Sequence, residues 1–311
     1  MASPVAGTPE QTAFLADLFE HGHLIDTGAP GVYGRGPDFE RILTGFDELV
    51  RRVARPDGGE VMRFPPVLPR EQFESSGYLR SFPHLAGTIF SFEGTEQEAT
   101  DQEEAARRHE DWSRFQSMTD LVLVPAACYP VYRAIGRREP LPDGGLTVDA
   151  GGAGAYVFRH EPSGDPTRLQ VFQISEYVCL GEPETVVAWR DTWRKRAMEI
   201  LTRVGLEPAQ AIASDPFFGR TGRMLAANQR ADELKFELLV TVVGPAPTAV
   251  ASFNYHQDHF TQTYGITMAS GGPAHTACLG FGLERIVLAL LRTHGPDVAA
   301  WPTSVSETLW S

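Results

Sequence analysis

Long apolar runs are missing from this chain. No stretch approaches ~18 consecutive apolar residues, so no membrane-spanning helix is expected. Cysteine is scarce: three in 311 residues is an odd number and too few for a disulfide framework, which points to a reducing, cytoplasmic setting. Basic residues are outnumbered, 27 Lys and Arg against 40 Asp and Glu, for a net charge of −13. A balance this acidic disfavours nucleic acid as the main partner, since phosphate is repelled, but leaves room for a local basic patch. The N-terminal MASPVAGTPEQ lacks the basic-then-apolar order of a signal peptide. There is also no internal repeat, no CxxC or HxxxH spacing and no nucleophile elbow.

What is present reads as a folded α+β protein. Asp38 to Arg55 carries Phe39, Ile42, Leu43, Phe46, Leu49, Val50 and Val53 on one helical stripe, with Asp38 expected at the N-cap. A strand from Glu60 to Phe64 should stop at Pro65-Pro66. Thr95 to Asp111 is a charged stretch expected to form a solvated helix or mobile loop, and Leu121 to Val124 a buried strand. AYVFRHE and LQVFQISEYVCL, separated by the turn-forming PSGDPTR, predict a hairpin. Glu184 to Val204 predicts a helix, and Leu234 to Val243 and Thr248 to Phe253 two more strands. Hairpins outnumber crossovers, which implies a mostly antiparallel sheet flanked by helices.

The chemistry is concentrated in a few places. In HTACLGFGLERIVLALL, Glu284 and Arg285 sit where a strand gives way to a helix. A helix start favours Glu284 but not Arg285, so the arginine suggests an anionic ligand shared with the helix end. In the hairpin, Arg159 and Glu161 share one strand face, and Arg168, Phe172 and Glu176 share one face of the next. Two arginines, two glutamates and a phenylalanine suit a polyanion bearing an aromatic base; a solvated outer face crossed by ion pairs is the alternative. Cys128, Glu176 and Cys278, each at the end of an expected strand, offer two thiolates and a carboxylate for a three-ligand metal. Buried, inert cysteines are the alternative, and spacing does not choose between them. Cys179 is out of phase with Glu176 and should face the other side. His256 and His259, with Asp258 between them, read as hydrogen-bonded side chains at a strand end or dimer contact rather than a second metal site. Gly151, Gly152 and Gly154 precede a strand, not a helix, and read as a flexible lead-in.

FRHE, its loop with Arg168, and Phe172 resemble motif 2 of the class II aminoacyl-tRNA synthetases, and GFGLER resembles motif 3. The helix and strand ending at Pro65 resemble the weaker motif 1. This resemblance implies an antiparallel class II fold and ATP as substrate. It implies that Arg159 holds the α-phosphate and the substrate carboxylate, Glu161 the adenine amine and Arg168 the outer phosphates. Phe172 would stack on adenine and Arg285 grip the γ-phosphate. SDPFFGRTGRMLAANQRADELKFELLV, SFNYHQDHF and AHTACLGFGLERI look like the truncated bacterial relatives of methanogen-type seryl-tRNA synthetases, the amino acid:carrier-protein ligases.

That resemblance implies zinc on Cys128, Glu176 and Cys278 for the amino group of a small amino acid. It also implies magnesium with ATP, a homodimer, and a phosphopantetheine carrier protein in place of tRNA. Thr248 or its neighbours fall where seryl-tRNA synthetases place a magnesium-binding glutamate. Residues 1–311 are expected to form one catalytic domain without a tRNA-binding domain, residues 1–35 carrying no motif. The rival readings are a tRNA-charging enzyme and a catalytically dead paralogue. Two basic sets could meet an acidic carrier: Arg190, Arg194, Lys195 and Arg196, of which Arg190 and Arg194 are expected to face away from an apolar stripe, and Arg220, Arg223 and Arg230.

Overall fold

A computed structural model describes residues 6–244 and 246–311, apart from the side chain of Arg220. In chain order they form α1 (Pro9–Glu20), the hairpin β1 (Leu24–Ala29) and β2 (Val32–Arg35), and α2 (Pro37–Ala54). Next come β3 (Glu60–Val61), β4 (Val67–Pro69), α3 (Arg70–Ser75), α4 (Tyr78–Ser81), β5 (Thr88–Phe92), α5 (Glu96–Arg107) and β6 (Gln116–Leu123). The middle holds α6 (Tyr129–Ile135), β7 (Leu146–Asp149), β8 (Tyr156–Phe158), β9 (Val171–Gly181) and the long α7 (Pro183–Arg203). The remainder is β10 (Ala209–Ile212), α8 (Gly219–Ala231), β11 (Lys235–Val240), β12 (Thr248–Gln257) and α9 (His259–Tyr264). β13 (His275–Gly282), α10 (Leu283–His294) and α11 (Thr303–Trp310) close the order.

The main sheet runs β10-β11-β12-β13-β9-β7-β3, with β8 also paired to β9. Every pairing in it is antiparallel except β3 with β7. Its strands alternate in what they bury, as the pleat requires. Tyr177, Phe253, Leu279 and Phe281 face a large apolar core shared with α2, α7 and α10. Tyr177 stacks on Trp193, and Phe46 meets Phe281 edge-on at 5.7 Å. The opposite-phase residues Val178, Leu180 and Cys278 pack instead with Cys128, Val131 and Phe260. One face of the sheet is thus closed by helices, and the other carries the chemistry.

The apolar stripe of α2 is buried as expected, with Phe39, Ile42, Leu43 and Phe46 all at 0% exposure. A Phe46→Ala change there should cost about 3–5 kcal/mol. Its cap, however, is Gly36, and Pro37 takes the first turn, where its missing N–H costs nothing; Asp38 lies one residue inside. The strand expected at Glu60 to Phe64 shrinks to two residues. Residues 95–111 form a helix, begun by a reciprocal capping box between Thr95 and Glu98. β6 belongs to a separate sheet of order β4-β6-β5, and Leu121 is 42% exposed, so the expected buried strand is half solvated. Among the described residues no helix is long and apolar enough to cross a membrane.

Candidate active site

A cavity of about 130 Å³ opens on the free face of the main sheet. Alternate residues of three strands form its floor: Ile174 and Glu176 of β9, Ser252, Asn254 and His256 of β12, Cys278 and Gly280 of β13. Cys128, in the N-cap position of α6, closes one side, and Arg159, just beyond β8, another. The sequence expectation that Cys128, Glu176 and Cys278 sit at strand ends is wrong in detail. Cys128 begins a helix, and the other two lie mid-strand, where neighbouring register holds them rigidly.

The three are nevertheless brought together. The thiol sulfurs and a carboxylate oxygen lie within 4.8 Å of one another, all buried. Glu176 Oε2 accepts the Ala127 N–H at 2.8 Å, which fixes the carboxylate. Asn254 Nδ2 donates to Cys278 Sγ at 3.5 Å, and His256 Nε2 stands 3.6 Å from the same sulfur. Burial drives Glu176 well above the usual carboxylate range. Cys128, hydrogen-bonded to Cys278 and buried, is pushed well up, while the same bond and the His256 ring pull Cys278 down. Three buried acids this close cannot all ionise without a cation. Two sulfurs and one oxygen are the donor set of zinc rather than of magnesium or calcium, so the residues fit the implied metal. Asn254 Oδ1 is buried beside them with no partner among the described residues, an acceptor left for a ligand.

Cys179 faces the other way, packed with Val186 and Ala277 and pushed up to about 12 by burial. His259 Nε2 meets Ser76 O at 3.2 Å, and His256 Nδ1 meets Thr276 Oγ1 at 3.0 Å. Both are the hydrogen-bonded histidines the spacing suggested. Neither they nor Asp258 joins a three-residue metal cluster among the described residues. The contact of His256 with Cys278 was not visible in spacing, because it depends on the pairing of β12 with β13.

On the other side of the cavity the charges change sign. β8 ends at Phe158, so Arg159 and Glu161 lie past the strand. The hairpin still holds there, because Arg159 N donates to Gln170 O at 2.9 Å. Arg159 Nε is buried without a partner among the described residues, and its guanidinium lies 5.8 Å from the Phe172 ring centre. Arg168 pairs with Glu161 at 3.1 Å. Arg285 donates from Nε to Thr167 O and from Nη1 to Ala249 O, both at 2.9 Å. Burial and the nearby Arg168 and Arg159 lower its pKa to about 10. A buried guanidinium with two others near it calls for an anion beside it. Of this group only Arg159 lines the cavity; Glu161, Arg168, Phe172 and Arg285 stand outside it.

Glu284 does not act as a free anion at the helix start. Both its oxygens accept the Gln173 N–H at 2.9 Å, and Arg35 Nη1 reaches it at 2.7 Å. Thr248 begins β12 and offers no carboxylate; those acting on Arg285 are Glu161 and Glu237. Gly151 and Gly152 are no loose lead-in: their N–H groups donate to Glu176 O and Ile174 O. A Cβ on Gly151 would lie 2.1 Å from Glu176 N, so only glycine lets this segment lie against β9.

The two basic sets separate. Arg190 is 6% exposed and donates to Glu233 O at 3.0 Å, and Arg194 lies 3.5 Å from the Phe236 ring centre. They face the sheet, contrary to expectation, because their long stems cover aromatic surface. Arg196 pairs with Asp57 at 2.7 Å. Arg223 and Arg230 are exposed on α8; the Arg220 side chain lies outside the described part. Sequence reasoning passed over Asp215, which lines the cavity and pairs with Lys235 at 2.6 Å. It stands in the quoted SDPFFG segment, where nothing marked it as a cavity residue.

No family model matches the chain. Two curated relatives from Bradyrhizobium diazoefficiens, amino acid–[acyl-carrier-protein] ligases 1 and 2, are each 44% identical to it. The alignments cover 97% and 99% of this chain and 93% and 91% of theirs. A type-2 serine–tRNA ligase from Methanopyrus kandleri is 26% identical, and the chain spans only 53% of its length. Among solved structures, M. kandleri SerRS in complex with A. aeolicus tRNASec superposes with a TM-score of 0.79 at 23% identity, over 99% of this chain and 61% of that one. Giardia lamblia prolyl-tRNA synthetase with prolyl-adenylate gives 0.67 at 13%, over 93% and 54%. These likenesses establish a class II synthetase fold, and the near full-length identity places the chain in the amino acid–[acyl-carrier-protein] ligase family.

Proposed function

We propose that the protein activates a small amino acid with ATP and transfers it to the phosphopantetheine thiol of a carrier protein. The observation that carries this reading is the meeting, in one cavity, of the partnerless Arg159 Nε with the Cys128, Glu176 and Cys278 cluster. One end suits a carboxylate and phosphate, the other an amine. An α-amino acid carries both groups on one carbon. The cavity's volume of about 130 Å³ favours a small side chain.

In the first step an oxygen of the amino acid carboxylate attacks the α-phosphorus, the bond to the bridging oxygen breaks, and pyrophosphate leaves. Arg159 balances charge on the carboxylate and α-phosphate, Arg168 and Arg285 on the outer phosphates. Glu161 reads the adenine amine and Phe172 stacks on the base. Magnesium would accompany ATP and offset the charge of its phosphates. In the second step the carrier's thiol sulfur attacks the carbonyl, the bond to AMP breaks, and the thiol proton is released. No side-chain nucleophile is needed; positioning supplies the rate. Zinc on Cys128, Glu176 and Cys278 would select the substrate by its unprotonated amine.

For the carrier, α8 is the docking element. Arg223 and Arg230 are exposed there beside Phe218, Met224 and Leu225, at 59%, 65% and 39% exposure, an apolar and basic surface suited to an acidic partner. Arg220 belongs to the same helix. The unit of α2 and β3 is the proposed two-fold interface of a homodimer: β3 is a sheet edge, and its Val61 is 66% exposed. The activation step is tested by amino-acid-dependent pyrophosphate exchange across the small amino acids. Exchange with none of them would refute the reading.

A further inference from the structure

The segment before α2, which carries no sequence motif, lies against the loop between β8 and β9. At the tip of the β1–β2 hairpin, Gly31 O accepts the Gln170 N–H at 2.7 Å, and Pro30 O accepts from Gln170 Nε2 at 2.9 Å. Gly31 has φ +74°, and a Cβ there would lie 2.9 Å from Arg168 O, so the tip approaches the loop backbone as closely as a glycine allows. Further back, Gly7 abuts Gly164 in the same loop: a Cβ on Gly7 would lie 2.6 Å from Gly164 O. At the hairpin's base, Arg35 donates to Glu284 Oε1 at 2.7 Å and to Tyr156 Oη at 2.6 Å. Glu284 in turn holds the Gln173 N–H of β9, just beyond the loop. The loop is therefore gripped near its middle and at its strand ends by one contiguous N-terminal unit. From the other side, Arg285 holds it at Thr167 O.

We infer that the β1–β2 hairpin is a positioning element for ATP, with Gly31 and Arg35 as its positioning residues. They hold the Arg168-bearing loop in place before the nucleotide arrives. The inference rests on the assignment of this loop to ATP. A loop ordered in advance gives up less conformational freedom on binding, so the hairpin should act on nucleotide affinity and leave the chemical step alone. Arg35 also bonds to Glu284, tying the loop's strand to the start of α10.

The test uses the full chain and its Gly31→Ala, Arg35→Ala and Arg35→Lys variants. Hydrogen exchange of residues 163–170 is read without nucleotide, and KM for ATP and kcat are read in pyrophosphate exchange. Gly31→Ala should speed exchange in the loop and raise KM for ATP about tenfold, with kcat changed less than about twofold. Arg35→Lys should restore much of what Arg35→Ala loses. Zinc content should stay level throughout, since among the described residues the hairpin makes no hydrogen bond to Cys128, Glu176 or Cys278. If Gly31→Ala lowers zinc content or melting temperature sharply, Gln170→Ala removes the side-chain bond to Pro30 without backbone strain and should move both readouts the same way.

Unchanged loop exchange in Gly31→Ala, or a loosened loop with unchanged KM for ATP, would overturn the inference. An Arg285→Ala variant with unchanged KM for ATP would instead overturn the nucleotide assignment beneath it.

Discussion

The proposed phosphate site and the proposed metal site are built from opposite materials. At one, Arg159, Arg168 and Arg285 crowd like charges together, lowering Arg285 to about 10. At the other, Cys128, Glu176 and Cys278 crowd potential anions together, and burial and mutual contact drive their proton affinities apart. Each end is unfavourable alone, and each would be relieved by a partner of opposite sign, phosphate at the first and a metal cation at the second. The electrostatic frustration of the site thus accords with the proposed ligands. Perturbing one end should affect a different step from perturbing the other, and predictions that separate them test the comparison.

The largest effect is expected at the metal end. Chelation, or Cys128→Ser, Glu176→Ala or Cys278→Ser, should abolish adenylate formation, read as pyrophosphate exchange, with loss of bound zinc by elemental analysis. Cys179→Ser should keep both metal and activity, because Cys179 faces the opposite core. Equal damage from Cys179→Ser would break the ligand assignment. At the phosphate end, Arg159→Ala and Arg285→Ala should each lower exchange about 10²–10³-fold while leaving zinc in place. Phe172→Ala should mainly raise KM for ATP.

These two ends differed just as sharply in how legible they were. The phosphate end comes from two continuous stretches, the hairpin with Arg159, Glu161, Arg168 and Phe172 and the strand–helix junction with Arg285, so motif and spacing survive in the linear chain. The metal end is assembled across α6, β9 and β13, and no spacing rule links a helix cap to two mid-strand residues. A resemblance to known enzymes, not periodicity, pointed to it. Fold class was readable because alternation and helical stripes are local. Burial was less so: Arg190 and Arg194 looked solvent-facing by position on α7, yet they lie against Phe236, an aromatic brought there by another strand. Glu284 looked like a dipole-satisfying anion and turned out to be a link between β9 and the N-terminal hairpin, a contact no local pattern encodes.

A smaller effect should mark α8. Arg220→Glu with Arg223→Glu should reduce transfer to the carrier about tenfold, with wild-type transfer falling steeply as salt rises, and leave exchange nearly intact. Equal loss in both half-reactions would move these arginines from docking to the fold or to ATP. The smallest effect concerns pH. Glu284, pushed up to about 7 by burial against an ordinary 4.5, holds a proton in the folded chain that the unfolded chain has released. Its stabilising contribution is full below 4.5 and is lost as pH rises through about 7. Glu284→Gln should therefore flatten the melting temperature against pH across that window. An unchanged slope would mean that Arg35 keeps the carboxylate ionised throughout.

The central claim, activation followed by transfer to a carrier thiol, is tested most directly by offering the enzyme every acceptor at once. Radiolabelled small amino acid and ATP are incubated with tRNA, with apo carrier protein and with phosphopantetheinylated carrier, and the label is followed. The account predicts label on the phosphopantetheinylated carrier alone, in a linkage cleaved by hydroxylamine as a thioester is. Label on tRNA, or none on any acceptor while pyrophosphate exchange proceeds, would contradict it.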